Sequence, residues 1–364
     1  MKKTLKTYPC YQVKLKEGYY WGYLEINDKE PIIEENYNIY AKLENNNEYL
    51  FKVTYFNNRI NLDIMHILTD GLGAISFLKS IICNYLDLKY KIKTNYNNFV
   101  KKNTFEDWYD KKSDKCSKYQ EKTNKAFIIN DKINIKKNKT YCYILDLSKF
   151  KLICKNKKAS ITEYLCALHI YTIYQTLYDK LSKKHIAITV PIDLRRHYMV
   201  ESLSNFFTCM SIDVDVSNKK DMLFEEILSQ VKNEFHEKGT FNMIKTYLTR
   251  DVTLGNNLVI QFLPLFLKKA FMKYFGKVIN KTTSTLSNIG PIKLEEKYRK
   301  YVDNIIVLVS TGRVQKVKCT VCSYENNLTI TVNSNLITNK YEHKFCELLK
   351  KHVGEFRIEK VNID

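Results

Sequence analysis

The feature that most constrains the fold is a change of hydrophobic period between residues 49 and 88. Residues 49–56 and 59–66 flank an Asn-Asn pair, and residues 60, 62, 64 and 66 alternate onto one face, which is typical of a β-hairpin. After the next Asp-Gly pair, apolar residues recur at helical spacing and predict a helix over residues 73–88. The chain therefore contains a strand, a tight turn and a helix in succession, with His66 at the end of a half-buried strand.

The rest of the chain carries further strands and helices in mixed order. Strands are predicted over residues 11–16, 19–25, 141–147, 185–190, 207–216, 283–289, 305–309, 317–324 and 328–333, and helices over residues 160–178, 221–235 and 341–353. A Lys-rich polar stretch over residues 89–139 is typical of a long surface connection. This order favours an α+β architecture over a doubly wound parallel sheet. A boundary at the 191–204 connection divides the chain into subdomains 1–190 and 191–364.

One of the predicted helices has a clear start. Ser160 and Glu163 fit a capping box, in which each side chain satisfies a backbone amide of the other residue. Apolar residues lie on nearly all sides of the helix that follows, which predicts a central, buried position. His169 lies on this helix, and we expect it to be a core residue.

The longest apolar run is Leu258–Phe275. Gln261, Pro264 and three lysines interrupt this run, and a charge is costly at the centre of a bilayer, so no transmembrane segment is expected. A core helix pair bent at Pro264 is the first interpretation. The alternative is an amphipathic helix that lies on the protein surface and makes weak contact with a membrane or with hydrophobic substrates.

The charge balance excludes nucleic acid as the expected partner. The formal net charge is +20, but only seven of the 59 basic residues are arginine, and the lysines are spread along the whole chain. Recognition of phosphates and bases favours the bidentate arginine fork and a clustered basic surface. A positive field would still attract cofactors that carry phosphate and acidic carrier proteins.

The cysteines and the N-terminus favour the cytoplasm. Ten cysteines scattered over 364 residues do not form the framework of a secreted disulfide-rich protein. The pair Cys319 and Cys322 lies in an alternating strand pattern that sends the two thiols to opposite faces, and no second pair completes a zinc site, so no metal is expected. The basic residues at the start precede no apolar stretch of a signal peptide.

Residues 66–71, His-Ile-Leu-Thr-Asp-Gly, place a histidine, a turn and the start of a helix together. Imidazole is the side chain best suited to exchange a proton near neutral pH. Asp70 and Gly71 form the turn that would orient it, and Thr69 is expected to cap the helix. The segment is therefore the candidate site for general-base chemistry.

This HxxxDG arrangement resembles the superfamily that contains chloramphenicol acetyltransferase, BAHD acyltransferases, the condensation domains of nonribosomal peptide synthetases and the alcohol acetyltransferases. Further segments are similar to bacterial alcohol acetyltransferase-like proteins in the same order, namely Tyr8–Lys16 with Tyr20–Glu25, Val190–Arg196, Ser204–Phe207 and Ser287–Gly290. The resemblance runs from about Tyr8 to the C-terminal helix.

The resemblance implies a fold and a reaction. It implies two chloramphenicol-acetyltransferase-like subdomains, with mixed sheets flanked by helices and a tunnel at their interface. An acyl thioester, acyl-CoA or possibly an acyl carrier protein, would enter from one side, and a small-molecule alcohol from the other. His66 would be the general base, with no covalent acyl-enzyme. The activity implied is that of a CoA-dependent alcohol O-acetyltransferase.

The resemblance also assigns supporting residues. Asp70 would pair with Arg195 to hold the turn, together with Gly71. Ser287 or Asn288 would donate a hydrogen bond to the developing oxyanion, and Asn205 would contact the site or the substrate.

Two departures from the family keep alternatives open. Condensation domains carry a second histidine just before the catalytic one, and Met65 stands there, which disfavours a condensation-type amide former. Homologues also place a strand and a helix ahead of the Tyr8 segment, and the N-terminal subdomain is expected to lack them. A non-catalytic member that binds acyl thioesters or a carrier protein is therefore a further alternative.

Overall fold

The computed structural model describes residues 1–39, 43–92, 108–112, 126–134, 138–179, 182–217, 221–271 and 282–362. The helices are α1 (Lys2–Thr7), α2 (Gly71–Tyr90), α3 (Trp108–Lys112), α4 (Leu147–Asn156), α5 (Ile161–Thr176), α6 (Arg195–Tyr198), α7 (Phe224–Lys238), α8 (Phe241–Gly255), α9 (Leu258–Phe262), α10 (265–271), α11 (Glu296–Arg299) and α12 (Lys340–Val353). The strands are β1 (Val13–Glu17), β2 (Gly22–Ile26), β3 (Ile33–Glu35), β4 (Phe51–Phe56), β5 (Arg59–Ile64), β6 (Lys139–Asp146), β7 (Ile186–Asp193), β8 (Phe207–Val214), β9 (Ser284–Ile292), β10 (Val317–Tyr324), β11 (Asn327–Ser334) and β12 (Arg357–Asn362). Most of the predicted surface connection at 89–139 lies outside the described residues.

The predicted hairpin at residues 49–66 is confirmed. Strands β4 and β5 pair antiparallel from Phe51 opposite Ile64 to Phe56 opposite Arg59, and β3 adds a parallel third strand. Asn57 has φ +49°, as the tight two-residue turn requires, and asparagine tolerates this left-handed conformation. Strand β5 ends at Ile64, so His66 lies in the turn two residues beyond the strand and not in the strand itself.

The larger sheet has seven strands in the order β12-β6-β11-β10-β9-β7-β8. Its pairs are antiparallel except for β7 with β9 and β9 with β10, so the sheet is mixed. Helix α5 lies in the core on one face with α4, α7 and α12. Helix α2 packs on the opposite face, where it meets residues of β9 and β10. As predicted, Cys319 and Cys322 point to these two different faces.

The central position of α5 is confirmed. Its residues from Tyr164 to Ile170 are at most 1% exposed, because the helix contacts the sheet and three further helices. The capping box is present: the Ser160 amide donates to the Glu163 carboxylate at 2.6 Å, and the Glu163 amide donates to Ser160 Oγ at 3.2 Å. Local sequence and tertiary packing agree at this helix.

The sheet crosses the subdomain division suggested by the sequence. Residues 190 and 191 lie within β7, and β6 pairs with β11 and β12 near the C-terminus. Residues 139–362 therefore contribute all seven strands of one sheet, and the smaller sheets belong to the part of the chain before it. Long-range pairing between β6 and the C-terminal strands leaves no local signal, which is why hydrophobic period alone does not reveal it.

The strand predicted over residues 305–309 is wrong. This segment forms no ladder, and side chains of neighbouring strands bond two of its carbonyl groups: Asn333 Nδ2 donates to the Val309 carbonyl at 2.7 Å, and Cys322 Sγ lies 3.3 Å from the Ile305 carbonyl. The apolar pattern therefore reflects the burial of Ile305 and does not indicate a strand.

The core helix pair predicted for the run Leu258–Phe275 is also wrong. The two short helices α9 and α10 flank Pro264, as expected, but they lie on the surface: Leu258, Phe262 and Phe266 are 68%, 70% and 66% exposed. Residues 272–275 lie outside the described residues. In the part of the chain that the structure describes, no helix is long and apolar enough to span a bilayer.

Candidate active site

His66 is exposed in a turn that the surrounding chain fixes in place. The Met65 amide, just before it, donates to the Leu50 carbonyl at 2.8 Å, and the Leu68 amide, just after it, donates to the Met65 carbonyl at 2.9 Å. Asn205 Nδ2 donates to the His66 carbonyl at 2.8 Å. The imidazole ring lies against the Phe207 ring, with centroids 5.4 Å apart. The backbone of His66 is therefore held while its ring remains accessible.

Asp70 is buried behind the turn and accepts three different donors. Its Oδ1 accepts the Gly73 amide at 3.2 Å, so Asp70 and not Thr69 caps helix α2. Its Oδ2 accepts the Phe206 amide at 3.1 Å and Arg195 Nη2 at 2.8 Å. The pairing of Asp70 with Arg195 that the resemblance implied is thus present in the structure. This carboxylate supports the turn and does not face the solvent side, where the imidazole lies.

Arg195 joins the turn to the segment that follows β7. Its Nη1 donates to Asp193 Oδ1 at 3.0 Å, and its Nε donates to the Ser202 carbonyl at 2.8 Å. Burial acts to lower the pKa of Arg195, but Asp70 and Asp193 outweigh it and raise the pKa above its usual value. Arg195 therefore stays charged. The nitrogens of its planar guanidinium group donate to Asp70, to Asp193 and to the Ser202 carbonyl.

Thr69 and Gly73 close the turn against the segment that precedes β8. Thr69 Oγ1 donates to the Leu203 carbonyl at 2.6 Å and accepts a hydrogen bond from the Tyr11 hydroxyl at 3.3 Å. A Cβ at Gly73 would lie 2.0 Å from Thr69 Oγ1 and 2.6 Å from the Leu203 carbonyl oxygen. Only glycine fits there. The sequence reasoning missed Gly73, although a second glycine two residues after the motif was a visible signal.

The Ser287–Gly290 segment forms a bulge in β9. The register with β10 passes from Asn288 opposite Val321 to Gly290 opposite Cys322, so Ile289 is the extra residue. Gly290 has φ +81°, which favours glycine, and its amide donates to Asn288 Oδ1 at 2.9 Å. The bulge brings Ile289 against Gly71, where a Cβ would lie 2.7 Å from Ile289 Cδ1. A side chain at position 71 would therefore require the Ile289 side chain to move.

The structure brings Asp70, Arg195 and Asn205 together at the His66 turn, whereas the Asn288 side chain bonds to α5. Asn205 contacts the backbone of His66, and the bulge that holds Ser287 and Asn288 contacts Gly71 through Ile289. Asn288 Nδ2 donates to Thr162 Oγ1 at 2.9 Å, and Ser287 is partly buried opposite Thr320. Their role toward an oxyanion stays a prediction, and so does the tunnel.

One further neighbour was missed by the sequence reasoning. Phe207 contacts the imidazole ring; it was visible in the segment Ser204–Phe207, but the sequence alone assigned it no contact. The structural ion pair that the Asp193-Leu194-Arg195 segment indicates is present, since Asp193 is a second carboxylate on Arg195. Among the described residues, no group of three or more His, Cys, Asp or Glu side chains could hold a metal ion.

The comparisons with known proteins agree with this geometry at the level of the fold. Residues 203–356 match the model of a family described as the WS/DGAT C-terminal domain. No curated protein matches the sequence.

Solved structures match almost the whole chain. The epimerization domain from the third module of tyrocidine synthetase B is 11% identical, with a TM-score of 0.60, and the match covers 97% of this chain and 85% of that one. Polyketide synthase associated protein 5 from Mycobacterium tuberculosis is 11% identical, with a TM-score of 0.61 and coverage of 97% and 88%. TRI3 trichothecene 15-O-acetyltransferase from Fusarium sporotrichioides is 10% identical, with a TM-score of 0.56 and coverage of 95% and 83%. The chain has the two-subdomain fold of condensation-domain and chloramphenicol-acetyltransferase-like proteins.

Proposed function

We propose that the protein is an acyltransferase that moves an acyl group, acetyl in the first instance, from coenzyme A to an alcohol hydroxyl. The observation that carries this proposal is the geometry of His66, whose backbone is fixed on both sides while its ring is exposed beside Phe207. The match of residues 203–356 to the WS/DGAT C-terminal domain and the fold shared with a 15-O-acetyltransferase support it.

The proposed reaction is a direct transfer. The imidazole of His66 accepts the proton of the alcohol as its oxygen attacks the thioester carbonyl carbon, and a C–O bond forms. The tetrahedral intermediate then collapses, the C–S bond breaks, and the imidazolium returns the proton to the leaving thiolate. A positioned general base contributes roughly 10² to 10⁴-fold to the rate, or about 3 to 5 kcal/mol.

The oxyanion of that intermediate needs a hydrogen-bond donor. Ser287 and Asn288 are the proposed donors, because their bulge contacts the first turn of α2 through Ile289. A side-chain amide has two N–H groups. Asn288 gives one of them to Thr162, so only the second is available for substrate. We therefore assign Asn288 a positioning role first, and Ser287 the more direct contact.

Charge and composition support the proposed donor and compartment. A net charge of +20 attracts a donor that carries phosphates, which suits coenzyme A and equally an acidic acyl carrier protein. The scattered cysteines, of which the nine described are all free thiols, fit the reducing cytoplasm.

The test is a thiol-release assay. The protein is incubated with acetyl-CoA and a panel of short and long alcohols, and free coenzyme A is measured. We expect alcohol-dependent release, reduced about 10² to 10⁴-fold in His66→Ala. His343→Ala, which removes another exposed histidine on α12, is the matched control and should retain full activity. Activity that survives in His66→Ala would exclude the proposed base.

A condensation-type reaction that forms an amide is the second candidate, because condensation and epimerization domains share this fold. Met65 stands where condensation domains carry a second histidine, which weakens this candidate. Amines in the same assay separate the two: acylation of amines but not of alcohols would favour amide formation. Calorimetric binding of coenzyme A without turnover of either acceptor would instead indicate a non-catalytic binding protein.

A further inference from the structure

Two exposed segments form a surface rich in aromatic and aliphatic side chains. One is the β1–β2 hairpin, whose second strand is exposed at all five residues. The other is the pair of short helices α9 and α10. We call their exposed side chains the apolar face; they are Tyr19, Tyr20, Trp21, Tyr23, Leu24, Ile26, Leu258, Ile260, Phe262, Phe266, Leu267 and Phe271.

The two segments adjoin one another. The Leu265 amide donates to the Tyr19 carbonyl at 2.8 Å, and Lys268 Nζ donates to the Tyr20 carbonyl at 2.9 Å. The Lys268 ammonium also lies 3.2 Å from the centroid of the Trp21 ring. Lys269 pairs with Glu17 at the end of β1. These contacts join the turn of the β1–β2 hairpin to α10, although the two are about 250 positions apart in the chain.

The composition of this surface is unusual for a part of a protein that faces water. Phe262, Phe266 and Tyr19 are 70%, 66% and 68% exposed, and Trp21 is 49% exposed. Single exposed apolar residues are ordinary, but a contiguous group of this kind marks an interaction site. The β1–β2 hairpin is a separate two-stranded sheet, which is a marginal structure on its own and gains from a surface to lie on.

Charge indicates the nature of the occupant. Residues 252–294 contain six lysines and no aspartate or glutamate, in a chain of net charge +20. Lys268 and Lys269 lie on α10 between the apolar side chains. Lys269 pairs with Glu17, whereas Lys268 donates to the Tyr20 and Gln261 carbonyls. Two copies of so basic a chain repel each other, whereas an anionic surface attracts it.

We propose that the apolar face docks on the surface of an anionic lipid bilayer. Tyrosine and tryptophan favour the headgroup region, phenylalanine and leucine enter the acyl boundary, and lysines pair with anionic headgroups. In this proposal the described parts of α9 and α10 lie in the plane of the interface, as surface-bound amphipathic segments do. This docking is independent of the proposed acyl transfer and is tested by binding alone.

The experiment measures co-sedimentation of the full chain with vesicles. Vesicles of phosphatidylcholine with 30% phosphatidylglycerol, roughly the charge at which the effect of basic residues is clear, are compared with pure phosphatidylcholine. We expect binding to the anionic vesicles that weakens as salt is raised, and at least about tenfold weaker binding for the Phe262→Ser/Phe266→Ser variant. Leu152→Ser/Leu223→Ser is the matched control, since these two residues are 62% and 64% exposed elsewhere, and it should bind like the unchanged protein.

A second readout places the contact. Brominated lipids should quench the fluorescence of Trp21, and Trp21→Phe should abolish that quenching, because Trp108 is the only other tryptophan. Circular dichroism confirms that each variant is folded. Absence of binding to anionic vesicles, or binding that Phe262→Ser/Phe266→Ser leaves unchanged, would overturn the proposal. Concentration-dependent dimers without lipid that the same variant abolishes, with no vesicle binding, would assign the face to a second copy and would also overturn it.

Discussion

His66 and His169 differ in the part of the residue that the fold holds. At His66 the turn and Asn205 bind the main chain, and the ring is exposed beside Phe207. At His169, on the buried helix α5, both ring nitrogens are bonded: Nδ1 to the Tyr341 hydroxyl, and Nε2 to Ser284 Oγ at 2.7 Å. A histidine can serve as a proton acceptor for substrate only when a ring nitrogen is free to meet it.

The hydrogen bonds around His169 fix its tautomer. Ser284 has one hydroxyl proton and gives it to the Val317 carbonyl, so its oxygen must accept from Nε2–H. Nδ1 then accepts the proton of the Tyr341 hydroxyl. The network is complete and sealed, since His169 is fully buried. His169 is therefore a structural histidine, as the sequence pattern predicted, and His66 is the candidate base.

The largest effect is expected at the ion pair behind the His66 turn. Arg195→Met leaves the buried Asp70 carboxylate without its cation, and we expect the free energy of unfolding to fall by about 3 to 5 kcal/mol. Arg196→Met is the matched control, because Arg196 is adjacent but its side chain is 77% exposed, and its loss should cost less than about 0.5 kcal/mol. Urea denaturation measures both.

The ion pair also tests how the accessible histidine is held. If Arg195→Met and Arg196→Met unfold at the same urea concentration, the Asp70–Arg195 pair does not stabilise the turn. The fold would then support His169 through hydrogen bonds to its ring, but would not support His66 through the Asp70–Arg195 pair.

The pH dependence of stability should come from the sealed histidine. Burial lowers the pKa of His169 to about 3, against an ordinary value of 6.5. Between these values the unfolded chain binds a proton that the folded protein does not, so the free energy of unfolding falls as the pH drops from about 6.5 toward 3. The expected loss is about 2 to 3 kcal/mol by pH 4.5.

Urea denaturation at pH 7.0 and pH 4.5 measures this loss. Burial also lowers the pKa of His352, and this adds to the loss with the same sign. The difference in the free energy of unfolding between pH 7.0 and pH 4.5 is therefore compared between the unchanged protein and His169→Gln. We expect this difference to be much smaller in His169→Gln. His343→Gln is the exposed control and should behave like the unchanged protein. An equal difference in the unchanged protein and in His169→Gln would show that the sealed network does not hold His169 neutral.

Gly73 tests how closely the His66 turn is packed. Gly73→Ala forces a methyl group against Thr69 Oγ1 and the Leu203 carbonyl, which backbone movement must relieve. We expect a loss of roughly 1 to 3 kcal/mol in the free energy of unfolding. At Gly312 a Cβ would meet nothing within 4 Å, so Gly312→Ala should be neutral or slightly stabilising. A Gly73→Ala variant as stable as Gly312→Ala would contradict the observed packing.

The sequence predicted the local geometry of the site well because short-range patterns encode it. The hairpin, the start of α2 and the capping box of α5 each depend on residues within a few positions of one another. The sequence did not predict that Asp70 is the cap or that Ile289 contacts Gly71. The Ile289 contact joins positions that are far apart in the chain, which hydrophobic period does not encode. The Asp70 cap is local, and the sequence reasoning assigned it to the neighbouring Thr69 because threonine also caps helices.

For the apolar run 258–271, the sequence predicted burial where the structure shows exposure. Its composition predicted burial, but the structure leaves Phe262 and Phe266 mostly exposed. Apolar content measures the tendency to leave water and does not specify whether the protein core or an external surface satisfies it. Lys268 and Lys269, placed within the run, were the available signal for the surface.

The smallest effect is expected at Asn205, which links the His66 main chain to the segment preceding β8. Its Nδ2 donates to the His66 carbonyl, so Asn205→Ala removes one hydrogen bond, and we expect a loss of about 0.5 to 1.5 kcal/mol in the free energy of unfolding. Asn205→Asp should be no more stable than Asn205→Ala, because a carboxylate cannot donate to a carbonyl. Stability restored by aspartate would mean that Asn205 acts as an acceptor. The His66 backbone would then be fixed by the turn alone, and the difference from His169 would be smaller than the structure indicates.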